Sequence, residues 1–237
     1  MSYVLHYAPD NASMIVRLVL EDLGLPYQVA LVDRAVQAHQ STAFRALNPA
    51  GLIPALETPQ GVMFETAAIL LWLADTHRAM APEPGSARRP AFLSTLFFTS
   101  NTLHAQLRMM FYPWKYVGPD DEAQARLRTK LRTASAADMA LPGALTVLDR
   151  YYASLDKDGA RAPWVLDYYI ACILRWCRIY PARWTGWCDL GAYPALDRLT
   201  KMLETRPSVD RVARAEGLGA HPFTAPQLPT PPEGSAL

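Results

Sequence analysis

The sequence has few cysteines, almost no surplus charge and no long apolar run, and each scarcity excludes a class of protein. Its three cysteines, Cys172, Cys177 and Cys188, form no C-x-x-C pair, which argues against a disulfide scaffold, a zinc site or a dithiol redox centre. We therefore expect reduced thiols, a cytoplasmic location and no bound metal.

Charge and hydropathy exclude two further classes. The formal net charge is only +1 at pH 7, without the basic excess with which nucleic-acid-binding proteins neutralise phosphates. No stretch reaches the roughly 18 uninterrupted apolar residues that a membrane-spanning helix needs. The first six residues lack the basic and apolar regions of a secretory signal. We expect neither nucleic acid nor a membrane as a partner.

The sequence does contain 51% hydrophobic residues in a chain of 237, enough for a large buried core. The first eighty residues alternate between strand and helix patterns, which predicts one mixed sheet with helices packed on it. The predicted elements are strands at Tyr3–Tyr7, Tyr27–Val32, Ile53–Glu57 and Val62–Phe64, and helices from Ser13 to Leu23 and from Thr66 to about Thr76.

Beyond residue 80 the apolar residues follow helical spacing only. We predict an α/β domain over 1–80, a turn-rich linker over 81–89, an all-helical domain over 90–219 and a proline-rich tail over 220–237. The tail either lies on the surface or lacks a fixed structure. The predicted helices of the second domain are Pro90–Phe111, Asp120–Leu155 with a break at Pro142-Gly143, Trp164–Ile179 and Pro194–Glu204.

The junction between the first strand and the first helix, Tyr7 to Ser13, is a candidate binding segment. Unpaired N–H groups at a helix start favour an anion placed there, and Asn11 and Ser13 add side-chain donors. Asp10, Asn11 and Ser13 are also common helix N-caps. Taken alone, capping is the better explanation of this segment.

Two further segments of the first domain carry groups suited to a ligand. The segment 48–56 places Pro54 at a strand start, where proline holds Ile53 extended. A cis Ile53–Pro54 bond would expose the backbone N–H and C=O of Ile53 to a ligand. Glu65 and Thr66 place a carboxylate and a hydroxyl beside another helix start, where Thr66 is alternatively an N-cap.

In this order the segments resemble the glutathione transferase superfamily, over residues 3 to about 215. Asn48-Pro49-Ala50-Gly51-Leu52-Ile53-Pro54-Ala55-Leu56 matches the family's Asn-Pro-x-Gly-x-Val/Ile-Pro-x-Leu segment, and Glu65-Thr66-Ala67-Ala68-Ile69 matches its Glu-Ser-x-Ala-Ile turn, with Thr66 replacing the serine. Later matches are Leu20–Tyr27, Val165–Tyr169 and Arg206-Pro207-Ser208. The resemblance implies an α/β thioredoxin-like N-terminal domain followed by an all-α C-terminal domain.

The resemblance also implies a function. Glutathione, as co-substrate, would bind at His39, Ile53, Pro54, Glu65 and Thr66 and be conjugated to a small hydrophobic electrophile, without a metal. The alternatives are a glutathione-dependent reductase, peroxidase or isomerase on the same fold, and a glutathione-binding protein without turnover. Members of the family are commonly homodimers, and a homodimer is expected here.

The residue beside the glutathione sulfur is where this chain departs from the family. The position of the bacterial cysteine class falls on Ala12, so mixed-disulfide chemistry is not expected. The serine-class position falls nearest Asn11. We rank Asn11 and Ser13 close together as hydrogen-bond donors to a thiolate, ahead of Tyr7, which we interpret as a packed strand aromatic.

A second departure concerns a helix start of the helical domain. The family has Ser or Thr three residues before the aspartate of this buried helix start, whereas Trp164 stands there in this chain. Asp167 is therefore expected to hold backbone donors without the reciprocal hydroxyl of a capping box.

The helical domain is expected to supply the electrophile's pocket. Asn101, His104 and Arg108 fall at i, i+3 and i+7 and form one polar stripe on an apolar helix. The aromatic residues Phe111 and Tyr112 follow. If these side chains face the cleft, they would bind a partly apolar substrate that carries a polar group. The alternative, to which we give equal weight, is that they form a solvated face of the helix.

Overall fold

Four strands form one mixed sheet in the first part of the chain. The computed structural model describes residues 3–133, 139–156 and 161–236. The strands are β1 (Tyr3–Tyr7), β2 (Tyr27–Leu31), β3 (Ala55–Thr58) and β4 (Gly61–Phe64), in the order β2-β1-β3-β4. β1 is parallel to β2 and antiparallel to β3, which is antiparallel to β4. All four predicted strands are present, and β4 lies at one edge of the sheet.

Three helices accompany the sheet: α1 (Ser13–Asp22), α2 (Thr42–Leu47) and α3 (Thr66–His77). α1 packs against both β1 and α3. Its Met14, Ile15, Leu18 and Val19 are buried, because apolar residues recur at helical spacing and form one continuous face. The predicted α/β arrangement is confirmed.

From residue 89 onward the described residues form helices and loops only, which confirms the predicted all-helical part. None of the helices in the described ranges has the length and apolarity to cross a membrane. The helices are α4 (Arg89–Phe98), α5 (Ala105–Phe111), α6 (Trp114–Val117), α7 (Asp121–Thr133), α8 (Leu141–Leu155), α9 (Val165–Ile179), α10 (Pro194–Glu204) and α11 (Pro207–Glu216).

The longest buried element is α9, which packs against α1, α3 and α10. Every side chain from Val165 to Cys177 is buried, so this helix forms the centre of the core that joins the sheet to the other helices. Between α4 and α5 the segment Thr99–His104 is a turn of π-helix.

Two helix boundaries differ from the prediction. Pro142 lies in the first turn of α8, where its missing N–H would have no intrahelical partner in any case. Pro142-Gly143 therefore begins a helix and does not break one; residues 134–138 of the predicted helix lie outside the described residues. α11 is absent from the prediction, although Pro207 begins it in the same way.

One buried carboxylate holds the start of α9. Asp167 accepts hydrogen bonds from the Trp164 backbone N–H at 2.8 Å, from the Tyr152 hydroxyl at 2.7 Å and from both terminal nitrogens of Arg161 at 2.7 and 2.9 Å. Trp164 has no hydroxyl to return a bond, and its ring lies 3.9 Å from the Arg161 guanidinium carbon. Charge-assisted hydrogen bonds to Arg161 thus take the place of the reciprocal cap.

The tail after α11 runs back across α9. Arg175 of α9 donates to the backbone carbonyl of Pro222 at 3.1 Å and to that of Gln227 at 2.8 Å. Gly217 allows the chain to turn back: its φ is +65°, and a Cβ there would lie 2.1 Å from the carbonyl oxygen of Thr230, so glycine alone fits. The described residues 221–236 of the tail follow the surface and are held by hydrogen bonds.

We expect Asp167→Ala to lower the free energy of unfolding by about 3 kcal/mol or more, because the half-buried Arg161 charge and the buried Tyr152 hydroxyl both lose their partner. The matched control is Asp156→Ala, whose carboxylate pairs with Arg198 at the surface and should cost at most about 1 kcal/mol. Urea unfolding followed by circular dichroism measures both losses. Equal losses would contradict the role given to Asp167.

Candidate active site

A cavity of about 930 Å³ opens between the sheet and the helices, a size typical of small-molecule sites. Residues that the sequence singles out in distant segments meet in its wall, whereas Tyr7 and Ser13 do not line it. The residues singled out by the sequence that line the cavity are Asn11, His39, Ile53, Pro54, Glu65, Thr66, Asn101, His104, Arg108, Phe111 and Tyr112.

Asn11 lies at the cavity wall immediately before α1. Its Oδ1 accepts a hydrogen bond from the Ala12 backbone N–H at 2.8 Å, which fixes the orientation of the amide. The Nδ2 group is then a donor without a protein acceptor among the described residues. Ala12, the next residue, lines the cavity as well. A polar donor and the start of a helix therefore face the same space.

The prediction that the Ser13 hydroxyl faces a ligand is wrong. Its side chain is fully buried, donates to the Ala8 carbonyl at 3.0 Å and accepts from the Ala8 N–H at 3.2 Å. As the first residue of α1, Ser13 places its hydroxyl back toward the end of β1. The predicted side-chain capping of α1 is also wrong, because Ala12 occupies the N-cap position without a side-chain bond.

Tyr7 is a packed strand aromatic, as interpreted from the sequence. The residue is 2% exposed, and the Arg17 guanidinium carbon lies 5.3 Å from the ring centroid. The hydroxyl donates to the Glu233 carboxylate of the tail. Burial and this carboxylate raise the pKa of Tyr7 well above its ordinary value, so the phenol remains protonated and outside the cavity.

Asp10 does not cap α1 but connects it to α9. Its buried carboxylate accepts from Arg175 Nε at 2.9 Å and Nη2 at 3.0 Å, from Trp176 Nε1 at 2.8 Å and from the Tyr180 hydroxyl at 2.9 Å. Trp176 and Tyr180 also line the cavity. The bidentate pair neutralises the carboxylate and fixes the backbone that carries Asn11.

A second buried carboxylate, Glu216 of α11, lies directly behind the same turn. It accepts from the Asp10 backbone N–H at 2.9 Å and pairs with Arg17 at 3.3 Å. Burial raises the pKa of Glu216 to about 7, against the opposing effect of Arg17. This group is therefore partly protonated at neutral pH.

The Ile53–Pro54 peptide bond is cis, and both residues line the cavity. Ile53 precedes β3, and in the part of the chain that the structure describes its N–H and C=O join none of the backbone hydrogen bonds outside the regular elements. Asn48 braces the loop through a 2.6 Å bond from Nδ2 to the Leu52 carbonyl. Among the described residues the backbone donor and acceptor of Ile53 are therefore left for a ligand at the wall, as they are at β-augmentation sites.

Glu65, and not Thr66, is the N-cap of α3, which corrects the predicted cap. Glu65 has φ +71° and ψ +110°, a conformation that costs a non-glycine residue of order 1–3 kcal/mol and tends to occur at functional sites. Its carboxylate is exposed. Thr66 follows as the first residue of the helix, so a carboxylate, a hydroxyl and a helix start lie side by side.

His39 lies in the cavity wall, and its Nδ1 is buried without a hydrogen-bond partner among the described residues. Burial first, and then the charges of Arg34, Lys115 and Arg45, lower the pKa of His39 below its ordinary value. The neutral imidazole is therefore the form present at neutral pH.

The helical wall contains the predicted polar stripe. Asn101 and His104 lie in the π-helical turn and Arg108 in α5, and all three line the cavity. His104 Nδ1 lies 2.8 Å from the Tyr169 hydroxyl. Burial, assisted by the charge of Arg108, lowers the pKa of His104 to about 4. Its role is thus that of a neutral hydrogen-bonding group.

The sequence interpretation missed several cavity residues. Arg34 follows β2, Trp176 and Tyr180 come from the end of α9, and Leu228 comes from the tail. For Arg34 the sequence offered a usable signal, since it is a charged residue in the loop that follows β2. No sequence signal marked Trp176 and Tyr180 as cavity residues, because aromatic residues on a buried helix usually pack in the hydrophobic core.

Comparisons with known proteins agree on one family. The model of the "Glutathione S-transferase, N-terminal domain" matches residues 12–76. A sphingomonad glutathione S-transferase, solved in complex with glutathione, is 30% identical with a TM-score of 0.68; the match covers 91% of this chain and 100% of that chain.

Two further proteins are similar over nearly the whole chain. Glutathione S-transferase GST-4.5 of Xanthomonas campestris pv. campestris is 29% identical over 90% of this chain and 98% of its own length. The beta-class glutathione S-transferase of Sphingomonas chungbukensis is 29% identical with a TM-score of 0.69, covering 91% of this chain and 100% of that chain.

The lowered pKa of His104 predicts a pH dependence of stability. An unfolded histidine titrates near 6.5, so the unfolded state binds the extra proton first, and stability is lost as pH falls from about 6.5 to about 4. The loss attributable to this group reaches at most about 3 kcal/mol. His104→Gln should remove this contribution to the pH dependence of the free energy of unfolding, measured by urea unfolding between pH 4 and 7.

The interval from pH 7.5 to 9 provides the internal control, because His104 stays neutral there in both states. The two proteins should show parallel dependence in that interval. Parallel slopes between pH 4 and 7 as well would contradict the lowered pKa.

Proposed function

The chain belongs to the glutathione S-transferase family, and on that premise we propose that it stabilises the thiolate of glutathione at the start of α1 and transfers it to an electrophile. The observation that carries this proposal is the position of Asn11: an oriented amide donor at the cavity wall, before a helix start. The groups suited to the rest of a tripeptide line the same cavity.

Glutathione has an extended backbone, one ammonium group and two carboxylates, and the wall offers a partner for each. The free N–H and C=O of Ile53 suit the backbone of the tripeptide. The Glu65 carboxylate suits the ammonium group, and Thr66 at the start of α3 suits the neighbouring carboxylate. His39, whose Nδ1 has no hydrogen-bond partner among the described residues, and the nearby charge of Arg34 suit the other end of the molecule.

The chemical task is to make the thiol a better nucleophile. A free thiol has a pKa of about 8.5, and lowering it by about two units requires about 2.7 kcal/mol of preferential thiolate stabilisation. A charge-assisted hydrogen bond from Asn11 Nδ2 together with the helix start is of that size. Asparagine cannot accept the proton, so the proton passes to water.

The transfer then needs no covalent bond to the protein. The sulfur electron pair forms a bond to the electrophilic carbon, and the leaving group departs with the electron pair of its own bond. The cavity holds both reactants and so converts a bimolecular encounter into a positioned one. Ala12, at the position of the cysteine in the bacterial cysteine class, has no thiol for a mixed disulfide.

A cytoplasmic location and a homodimer are part of the same proposal. The three cysteines are free and buried, in keeping with a reducing compartment. Apolar side chains are exposed on β4 and on α4: Val62 at 39%, Phe64 at 40% and Phe97 at 47%. An edge strand and a helix with exposed aromatic residues suit an interface with a second copy.

We expect light scattering coupled to gel filtration to give about twice the chain mass of 26.3 kDa. Phe97→Asp should shift the mass toward that of one chain, because a charge would be buried in the interface. Thr129→Asp, which adds the same single negative charge at an exposed position on α7, serves as the control. A single-chain mass for the unaltered protein would contradict the dimer.

Asn11→Ala should lower kcat/KM for the conjugation of glutathione to 1-chloro-2,4-dinitrobenzene by about tenfold to a hundredfold, the worth of one hydrogen bond to a charged sulfur. The thiolate absorbance of bound glutathione, followed as a function of pH, should show a raised thiol pKa. Calorimetry should show that glutathione still binds.

Tyr7→Phe tests the competing candidate for the hydrogen bond to the glutathione sulfur, because it removes only the hydroxyl, which is bonded to Glu233. It should leave the thiol pKa unchanged. A fall in turnover and a raised thiol pKa for Tyr7→Phe, with Asn11→Ala unaffected, would transfer the role to Tyr7. Failure of the unaltered protein to bind glutathione would overturn the proposed function.

A further inference from the structure

Three cations converge on the helical end of the cavity: Arg34 after β2, Arg108 of α5 and Lys115 of α6. Within the described ranges, no carboxylate lies at ion-pair distance from any of them. The two hydrogen bonds that Arg34 makes there go to neutral oxygens, the Tyr112 hydroxyl at 2.9 Å and the backbone carbonyl of Ala236. The side chains of the described residues therefore leave the positive charge of this end uncompensated.

Two of these cations, Arg34 and Lys115, contact Tyr112. Its hydroxyl accepts from Arg34, and Lys115 Nζ lies 5.0 Å from its ring centroid. Partial burial first, and then the charges of Arg108 and Arg34, lower the pKa of Lys115. The charges of Arg34 and Arg108 thus lie close enough to Lys115 to disfavour its ammonium form, a cost that an anion bound among them would reduce.

Apolar surface adjoins the same cations. Phe111, Trp114 and Tyr116 line this end of the cavity, and the Tyr112 ring stands edge-on to Trp114 with centroids 5.5 Å apart. These residues lie in or beside α5 and α6, whereas Ile53, Glu65 and Thr66 come from the first part of the chain. A flat apolar body fits against the rings while a negative group reaches Arg108 and Lys115.

We propose that the electrophile is an organic acid, an aromatic or otherwise unsaturated carboxylate whose negative group is held between Arg108 and Lys115. This inference rests on the proposed function and narrows the expected hydrophobic electrophile to an anionic one. Its carboxylate takes no part in the bond changes. The thiolate sulfur forms a bond to the carbon that bears the leaving group, and a halide leaves with the electron pair of its bond.

The test compares 4-chloro-3-nitrobenzoate with its methyl ester. Both lose chloride to glutathione, and each value of kcat/KM is divided by the uncatalysed rate constant of the same compound, which removes the difference in intrinsic reactivity. The unaltered protein should favour the acid over the ester by about tenfold on this scale, the worth of one charge-assisted contact. Arg108→Gln and Lys115→Gln should each reduce the acid-to-ester ratio several-fold.

Arg214→Gln is the matched control, since it removes one charge from an exposed ion pair on α11. It should leave the acid-to-ester ratio unchanged. A second readout avoids turnover: the S-conjugates of glutathione with the acid and with the ester are titrated by calorimetry. The acid conjugate should bind more tightly, and Arg108→Gln should abolish the difference.

The outcomes separate the two proposals. Acceleration of the ester without any preference for the acid, or a ratio that neither substitution changes, overturns the anionic electrophile and leaves the transferase. Acceleration of neither compound together with an absence of glutathione binding overturns both.

Discussion

The buried ion pair between Asp10 and Arg175 determines how the sheet and the helices meet at the cavity. Both side chains are completely withdrawn from solvent. Such a pair adds little net stability, because desolvation offsets the attraction, but its bidentate geometry permits one arrangement. It fixes the turn before α1 against α9. Asn11, the next residue, is thereby held at the cavity wall, which Trp176 and Tyr180 also line.

The same pair has an electrostatic consequence for the proposed chemistry. An unpaired Asp10 charge beside the start of α1 would repel a thiolate bound at that helix start. Arg175 compensates that charge, and the raised pKa of Glu216 leaves the second carboxylate only partly ionised near neutral pH. The helix start therefore keeps its positive end toward the cavity. The charges of Arg34, Arg108 and Lys115 add to it, so this side of the cavity favours anions, whereas the Glu65 carboxylate lines another part of the wall.

Most of the fold could be predicted from the sequence because its signals are local. Alternating residues and the turn at Thr58-Pro59-Gln60-Gly61 define the hairpin of β3 and β4, and helical spacing defines α1 and α9. The roles of Pro142 and Pro207 were harder to predict. In the sequence, a proline in the first turn of a helix looks like one that interrupts a helix, and only the structure shows where the helix begins.

The site could be predicted only in part. The segments that contain Ile53 and Glu65 are short motifs, and both residues line the cavity. The sequence could not decide whether Asn11 or Ser13 faces the ligand. Only the orientation of α1 in the structure shows that the Ser13 hydroxyl turns back to Ala8. The bond from Tyr7 to Glu233 joins residues 226 positions apart, and no local pattern contains that pairing.

The path of the tail bears on how this protein should be handled. Ala236 lines the cavity, so a purification tag at this end of the chain would start beside the site and compete with ligands for space. β1 places Tyr3 about 13 Å from Tyr7, at the far end of the strand. A fusion or a surface tether on the N-terminal side of β1 therefore starts from the end of that strand that lies farther from Asn11, and it is the better choice for keeping the cavity accessible.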